Sequence, residues 1–263
     1  MHTAAFRARG LEATYACFPV HPDDVADAVR GLKALGLRGA NVTVPHKESV
    51  IAYLDHVTPE ARAIGAVNTI VRDVDRLIGH NTDAPGLARS LDDAGVELPG
   101  ARVLVLGAGG AARASVVGLA GRGASRIAIA ARRIEQAEAL VRELQSACGR
   151  SVLEAVDLSR ESLSEELRET TLLVQSTSAT LASSPDAAGF AASLAIELMP
   201  TTATVLDLVY RPRVTAVLAR AQERGLKVVD GLGMLLHQGA LAFELWTHMP
   251  APLDVMRHAL EQP

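Results

Sequence analysis

The sequence predicts an α/β protein with helices packed on a mainly parallel sheet, and three observations support this prediction. Short unbroken apolar runs alternate with segments of helical period over most of the chain, as expected when a helix follows each strand. Hydrophobic residues make up 49% of the sequence and aromatic residues only 3%, which suits a core of aliphatic side chains. A length of 263 residues, at about 150 residues per domain, favours two domains.

The predicted strands are short apolar runs, typical of parallel strands that are covered on both faces. The segments between them repeat apolar residues at the helical spacing, and Pro22 is well placed for a helix start. The predicted strands are residues 40–44, 103–106, 126–130, 172–174, 205–209 and 227–229, and the clearest predicted helices are residues 23–35, 134–147, 215–224 and 232–247.

Residues 66–82 depart from this alternation, because two strand-like runs flank the tight turn Val74-Asp75. This pattern predicts an antiparallel hairpin. Another predicted helix and strand follow the hairpin, so we place a domain boundary at residues 83–85. The predicted domains are residues 1–83 together with 239–263, and residues 84–238, with a cleft between them.

Composition excludes several classes of function. Lys and Arg number 26 against 30 Asp and Glu, a net charge of −4, which argues against a nucleic-acid or anionic-membrane surface. Cys17 and Cys148 are far apart, and the eight histidines show no metal-ligand spacing, so neither a disulfide framework nor a metal site is expected. No apolar run reaches the length of a membrane span, and we expect a cytoplasmic protein.

A glycine-rich turn joins the predicted strand 103–106 to a helix with the pattern GxGxxA. Gly107 permits the tight turn, Gly109 lets the backbone approach a pyrophosphate, and Ala112 allows close packing of helix on strand. The pattern predicts a dinucleotide site, and an ordinary glycine-rich turn is the other interpretation. The residues predicted to bind the cofactor here are Gly107, Gly109, Gly110 and Ala111.

The end of the next strand indicates which dinucleotide is bound. Enzymes that prefer NAD place Asp or Glu there, whereas this chain has Ala131, Arg132 and Arg133. Guanidinium groups suit a 2′-phosphate, so the three residues predict NADP(H). The alternative is that the two arginines merely open a solvated helix.

Three segments of the first domain carry polar side chains at strand ends, where α/β proteins commonly bind ligands. They are NVTVPHK at 41–47, GAVNT at 65–69 and GHNTD at 79–83. A carbonyl that accepts a hydride needs a proton on its oxygen, and a lysine held by a carboxylate can supply it. Lys47 and Asp83 are the candidate pair, with surface loops and a solvated lysine as the alternative.

These segments resemble the shikimate dehydrogenase family. The matching stretches run in family order: NVTVPHK, IGAVNTI, GHNTDAPG, VLGAGGAARA, DLVYRPRVT and DGLGMLLHQGALAFELW. The resemblance implies a substrate domain (1–83 with 239–263) and a Rossmann-like NADP-binding domain (84–238). It also implies NADPH-dependent, reversible reduction of 3-dehydroshikimate to shikimate in the biosynthesis of chorismate and aromatic amino acids.

The resemblance also implies a role for each site residue. Lys47 and Asp83 are the implied catalytic pair. Gln238 is a polar exception on an apolar helix, and a hydroxylated ligand would satisfy its amide. The implied substrate ligands are Asn41, Thr43, Asn68, Tyr210 and Gln238, and the implied cofactor contacts beyond the glycine-rich turn and the two arginines are Thr177, Gly231 and Met234.

The chain departs from the family pattern in three places. It opens inside the helix that follows the family's first strand and S-x-S-P loop, so we expect a natural start about 15–25 residues upstream, and weak substrate binding by the chain as given. The second arm of the cofactor site begins Gln175-Ser-Thr177 instead of N-A-T and lacks a later glycine. Ala131-Arg132-Arg133 replaces N-R-T, which should make NADP binding more salt-dependent.

Two alternatives stay open at this point. One is a quinate/shikimate dehydrogenase of broader specificity, and the other is a non-catalytic NADP-binding homologue. The expected partners are small molecules, without nucleic acid or membrane, and both a monomer and a homodimer remain possible.

Overall fold

The computed structural model describes residues 1–262, which divide into two units. The first unit comprises Met1–Gly86 and the residues from Leu236 onward, and the second comprises Leu87–Leu235. The predicted domain limits, after residues 83 and 238, each lie three residues from the limits of these units. Gln238, predicted in the second domain, belongs to the first unit.

The first unit contains a four-stranded sheet in the order β1-β3-β4-β2. Strands β3 and β4 form the predicted antiparallel hairpin, β1 pairs antiparallel with β3, and β2 pairs parallel with β4. The elements up to the boundary are α1 (His2–Ala8), α2 (Val25–Ala34), β1 (Gly39–Asn41), β2 (His56–Val57), α3 (Pro59–Ile64), β3 (Thr69–Asp73), β4 (Arg76–His80) and α4 (Asp83–Asp93).

Strand β1 is shorter than the predicted run 40–44, and that prediction was wrong beyond Asn41. The His46 amide donates to the Thr43 carbonyl oxygen at 2.9 Å, which closes a turn directly after the strand. Pro45 lies in this turn and has no N–H to donate to a ladder. Thr43 is therefore an exposed turn residue instead of a strand neighbour of Asn41.

Residues 11–21 form neither helix nor strand, and most of them are exposed. Among the described strands, β1 pairs with β3 alone, so its other edge has no ladder partner there. The unit is held by two apolar clusters. One lies between α2, α3 and the sheet, and the other joins Phe6 of α1 to Phe243 and Met256.

The second unit contains six parallel strands in the order β10-β9-β8-β5-β6-β7, as the predicted parallel sheet requires. The order reverses between β5 and β8, the position at which doubly wound sheets bind ligands. Its elements are β5 (Arg102–Leu106), α5 (Gly110–Gly121), β6 (Arg126–Ala130), α6 (Ile134–Leu144), β7 (Val152–Val156), α7 (Arg160–Leu167), β8 (Leu172–Gln175), α8 (Ala187–Ser193), β9 (Thr204–Asp207), α9 (Ala216–Glu223) and β10 (Lys227–Val229). Helix α10 (Leu232–Thr247) crosses into the first unit, to which α11 (Leu253–Glu261) belongs.

Strand β5 shows why this sheet is buried on both faces. Val103 and Val105 belong to one apolar cluster, while Leu104 and Leu106 belong to the other. Because successive side chains of a strand point to opposite faces, helices cover both sides. Strand β7 escaped prediction because Glu154, which pairs with Arg126, interrupts its apolar run. None of the helices among residues 1–262 is long and apolar enough to cross a bilayer.

Candidate active site

Backbone hydrogen bonds bring the three polar segments of the first unit together. The Val67 amide donates to the Lys47 carbonyl oxygen at 2.8 Å, and the Val42 amide donates to that of Asn68 at 2.8 Å. The Asn68 amide donates in turn to the carbonyl oxygen of His80 at 3.1 Å. The loops that carry Lys47, Asn68 and Asp83 are therefore neighbours through their main chains.

Lys47 and Asp83 form an ion pair. Lys47 Nζ lies 2.7 Å from Asp83 Oδ2, and the two side chains are 14% and 5% exposed. Asp83 is the first residue of α4, where the helix dipole favours a negative charge. Asn68 Nδ2 donates to the other oxygen, Oδ1, at 2.8 Å. Both carboxylate oxygens of Asp83 thus have a donor, which fixes the oxygen that faces the ammonium group.

Asn68 is the centre of a buried hydrogen-bond network. Its Oδ1 accepts from the Thr82 amide at 2.7 Å, and its Nδ2 also lies 3.4 Å from Gln238 Oε1. The hydroxyl groups of Thr69 and Thr82 lie 3.1 Å apart, and each contacts the Asn68 side chain. Asn68, predicted as a substrate ligand, therefore links Asp83 to Gln238. Neither threonine was predicted as a site residue, although polar residues at a buried strand end were the available signal.

The other residues that were predicted to bind the substrate lie in different surroundings from Asn68. Asn41 Nδ2 donates to Thr69 Oγ1 at 3.2 Å, and its Oδ1 accepts from the Tyr15 hydroxyl at 2.9 Å, a contact that no sequence signal indicated. Gln238 is half-buried on α10 in the first unit. Tyr210 belongs to the second unit, where it is 43% exposed.

Burial alters the titration of two histidines of the first unit. The pKa of His80 is lowered, chiefly because burial disfavours the charged ring. The pKa of His2 is lowered from 6.5 to about 4, first by burial and then by the nearby N-terminal charge. Among the described residues, no group of three or more His, Cys, Asp or Glu side chains is placed to hold a metal ion.

The glycine-rich turn of the second unit leads directly into the N-terminus of α5. Gly107 has a φ of +116°, and a Cβ atom there would lie 2.7 Å from Ser176 Oγ. Gly109 caps α5 without a side-chain hydrogen bond, and a Cβ atom on it would meet nothing within 4 Å. Gly110 and Ala111 then open the first turn of α5. This helix N-terminus can hold a phosphate with its backbone N–H groups.

Ala131, Arg132 and Arg133 follow directly after β6. Ala131 is buried, whereas both arginines are exposed, and Arg133 is the N-cap residue of α6. Two exposed guanidinium groups beside the strand end fit a 2′-phosphate.

Gln175 organises the loop after β8. Its side chain is fully buried, with Nε2 donating to Thr180 Oγ1 at 2.8 Å and to the Thr177 carbonyl oxygen at 3.0 Å. Its Oε1 accepts from the Thr177 amide at 2.7 Å. Asp207, buried beside it, accepts from the Thr215 hydroxyl at 2.7 Å, and burial raises the pKa of its carboxyl. This second network was not predicted from the sequence.

Gly231 and Met234 lie at the start of α10. A Cβ atom on Gly231 would collide with the carbonyl oxygen of Leu208, so the backbone approach requires glycine. Met234 is 8% exposed and belongs to the larger apolar cluster of the second unit.

Three family models match the chain. They describe a shikimate dehydrogenase substrate binding domain at residues 1–70, a shikimate/quinate 5-dehydrogenase at 87–186 and a shikimate 5′-dehydrogenase C-terminal domain at 231–261. A shikimate dehydrogenase (NADP(+)) of Symbiobacterium thermophilum is 45% identical over 259 residues, which cover 98% of this chain and 87% of that protein. The chain belongs to the shikimate dehydrogenase family.

Solved structures of shikimate dehydrogenases have the same fold. The enzyme of Listeria monocytogenes in complex with shikimate and NAD superposes with a TM-score of 0.88 at 35% identity, covering 98% of this chain and 90% of that one. The enzyme of Thermus thermophilus in complex with NADP(H) and shikimate gives 0.84 at 38% identity, covering 98% and 91%. The family resemblance and the α/β fold are therefore confirmed, while the roles of individual site residues stay predictions.

Proposed function

We propose that the chain catalyses the NADPH-dependent, reversible reduction of 3-dehydroshikimate to shikimate, a step in the biosynthesis of chorismate and aromatic amino acids. The observation that carries this proposal is the 2.7 Å ion pair between Lys47 Nζ and Asp83 Oδ2 in a nearly buried setting. A shielded ammonium group with a fixed carboxylate is suited to protonating a carbonyl oxygen.

The two members of the pair have different roles. The Lys47 ammonium donates a proton to the carbonyl oxygen of 3-dehydroshikimate, and in the reverse direction the neutral amine takes the proton from the hydroxyl group of shikimate. Asp83 orients Lys47 and stabilises its charge. NADPH, when bound, supplies the hydride. Asn68 holds Asp83 in place through the hydrogen bond to its second oxygen.

The first unit binds the substrate in this proposal. Asn41, Thr43 and Gln238 supply amide and hydroxyl groups to the substrate's hydroxyl and carboxylate groups. The amide of Asn68 adjoins them through its contact with Gln238. Tyr210, exposed in the second unit, is proposed to contact the substrate.

The second unit binds the cofactor in this proposal. The N-terminus of α5, with Gly107, Gly109, Gly110 and Ala111, holds the pyrophosphate. Arg132 and Arg133 after Ala131 bind the 2′-phosphate and thereby favour NADP over NAD. Thr177, Gly231 and Met234 adjoin the nicotinamide. We further propose that the protein acts in the cytoplasm on small molecules, as a monomer or a homodimer.

A kinetic assay with purified protein tests this function. We expect shikimate-dependent reduction of NADP⁺ and, in reverse, oxidation of NADPH by 3-dehydroshikimate, with a kcat/KM for NADP⁺ well above that for NAD⁺. Quinate serves as the comparison substrate. Equal use of quinate would favour a quinate/shikimate dehydrogenase, and absence of turnover with NADP⁺ binding intact would favour a non-catalytic homologue.

A further inference from the structure

Asn81 is a buried side chain two residues before Asp83, and the catalytic scheme above does not use it. Its Oδ1 accepts hydrogen bonds from the backbone amides of Asp83 and Ala84, at 3.0 and 3.1 Å. Its Nδ2 donates to the carbonyl oxygen of Ala66 at 2.9 Å. One amide side chain thus contacts two of the three loops that form the polar cluster.

The two contacts of Asn81 Oδ1 hold the backbone at Asp83 and Ala84. A side-chain oxygen that accepts from the amides two and three residues ahead acts as a helix cap, and it holds the backbone of the first helical turn. Here that residue is Asp83, the first of α4. The cap therefore holds the backbone from which the carboxylate of Asp83 extends to Lys47.

The second contact fixes the other partner of the same carboxylate. Ala66 lies two residues before Asn68, whose Nδ2 donates to Asp83 Oδ1. By holding Ala66, Asn81 keeps the loop of Asn68 in register with the start of α4. Both the backbone of Asp83 and the donor to its second oxygen thus depend on Asn81.

We propose that Asn81 is a positioning residue for the Lys47–Asp83 pair. The proposal rests on the proposed function, since it assigns Asn81 a part in that reaction. The opposing view is that Asn81 only stabilises α4, as any helix cap does. The two views differ in what happens at Lys47 when Asn81 is replaced.

The first test compares steady-state kinetics of three variants with those of the wild-type protein. Asn81→Ala loses both contacts, and we expect kcat to fall about 10- to 100-fold because misplacement on the order of 1 Å has such an effect. We expect the KM for NADP⁺ to stay unchanged. Asn81→Ser keeps an oxygen for capping and should recover part of kcat. Thr58→Ala, which removes the cap of α3 in the same unit, is the control with normal kcat.

The second test does not depend on turnover. In the ion pair, Lys47 Nζ is held by the Asp83 carboxylate and its side chain is only 14% exposed, so an acylating reagent reaches it slowly. We expect acetic anhydride to acylate Lys47 several times faster in Asn81→Ala than in the wild-type protein or Thr58→Ala, as measured by peptide mass spectrometry. Asn81→Ser replaces Asn81→Ala in both tests if the alanine variant does not fold.

The outcomes separate this proposal from the proposed function. A wild-type protein that does not oxidise shikimate contradicts the function, and the acylation rates then decide the role of Asn81 alone. If Lys47 in the Asn81 variants is acylated at the same rate as in the wild-type protein, the positioning role is overturned, even if kcat falls. An equal fall of kcat in Thr58→Ala also overturns it, because the effect would then be one of general stability.

Discussion

At the scale of single residues, the position of each charged group depends on neutral neighbours. Lys47 and Asp83 were predicted as a pair because lysine and carboxylate chemistry can be recognised in sequence. The amide of Asn68, which donates to Asp83, and the hydroxyl groups of Thr69 and Thr82, which contact that amide, were not predicted in these roles. A hydrogen-bond network depends on distances between strand ends, and no local pattern specifies those distances.

His2 illustrates how burial changes the behaviour of a residue in the first unit. Its ring is 5% exposed and stacks on Tyr15, with ring centres 4.5 Å apart, and it lies 5.2 Å from the ring of Trp246. A ring among aromatic groups is poorly solvated, which is the first cause of its pKa of about 4.

We predict that this histidine makes the first unit less stable in acid. The unfolded chain binds a proton at His2 below about pH 6.5, whereas the folded chain resists protonation down to a pKa of about 4. The free energy of unfolding is therefore highest above pH 6.5 and falls by about 2–3 kcal/mol as the pH drops towards 4. Urea unfolding followed by the fluorescence of Trp246, the single tryptophan, measures this slope. We expect His2→Gln to flatten it and His21→Gln, an exposed control, to retain it.

We predict that Arg132 and Arg133 confer selectivity for NADP⁺. The double variant Arg132→Ala/Arg133→Ala removes two charge-assisted contacts, and a contribution of about 1.5–3 kcal/mol corresponds to a 10- to 100-fold rise in KM for NADP⁺. The KM for NAD⁺ should stay within about twofold, because NAD⁺ has no 2′-phosphate. Arg142→Ala, which replaces an exposed arginine of α6, the helix that follows these two residues, is the control. Equal rises for both cofactors would exclude a 2′-phosphate role.

At the scale of elements, parallel strands were easier to predict than the loops that follow them. The strand 126–130 and the helix 232–247 agree with the structure to the residue. Strand β1 was predicted too long, because apolar residues continue through the turn that Pro45 occupies. The Gln175 loop could not be predicted, since the bond from Gln175 to Asp207 joins segments 32 residues apart in sequence.

The glycine-rich turn allows a prediction about one element. We expect Gly107→Ala to lower the free energy of unfolding by about 2–4 kcal/mol, through an unfavourable positive φ and a close contact with Ser176. Ser176 cannot easily move, because its hydroxyl donates to the Leu106 carbonyl oxygen at 2.6 Å. We also expect NADP⁺ affinity to fall about tenfold or more, as the turn shifts away from the pyrophosphate.

The matched control is Gly121, the last residue of α5, the helix that follows the glycine-rich turn. A Cβ atom on Gly121 would meet nothing within 4 Å, so Gly121→Ala should leave the protein as stable or stabilise it by up to about 1 kcal/mol. Chemical denaturation of both variants and calorimetric titration with NADP⁺ measure these effects. A Gly107→Ala protein as stable as Gly121→Ala would show that the turn tolerates a side chain.

At the scale of the whole molecule, the sequence predicted the architecture of each unit better than its limits. The hairpin around Val74 and the parallel sheet of the second unit follow from periodicity alone. Periodicity did not indicate the boundaries between the units, because α4 and α10 run through them without a break in helical pattern. As a result, Gln238, a predicted substrate ligand, was placed in the second domain, although it lies in the first unit.

The kcat of Lys47→Ala for shikimate oxidation with NADP⁺ tests the role of the Lys47–Asp83 pair. We predict a fall of about 10²–10⁴-fold, as expected on losing a general acid or base, with an unchanged KM for NADP⁺. Lys33→Ala, which removes a lysine ion-paired with Asp55 in the same unit, should keep the wild-type kcat. A Lys47→Ala protein that turns over at the wild-type rate would contradict the catalytic role of the Lys47–Asp83 pair.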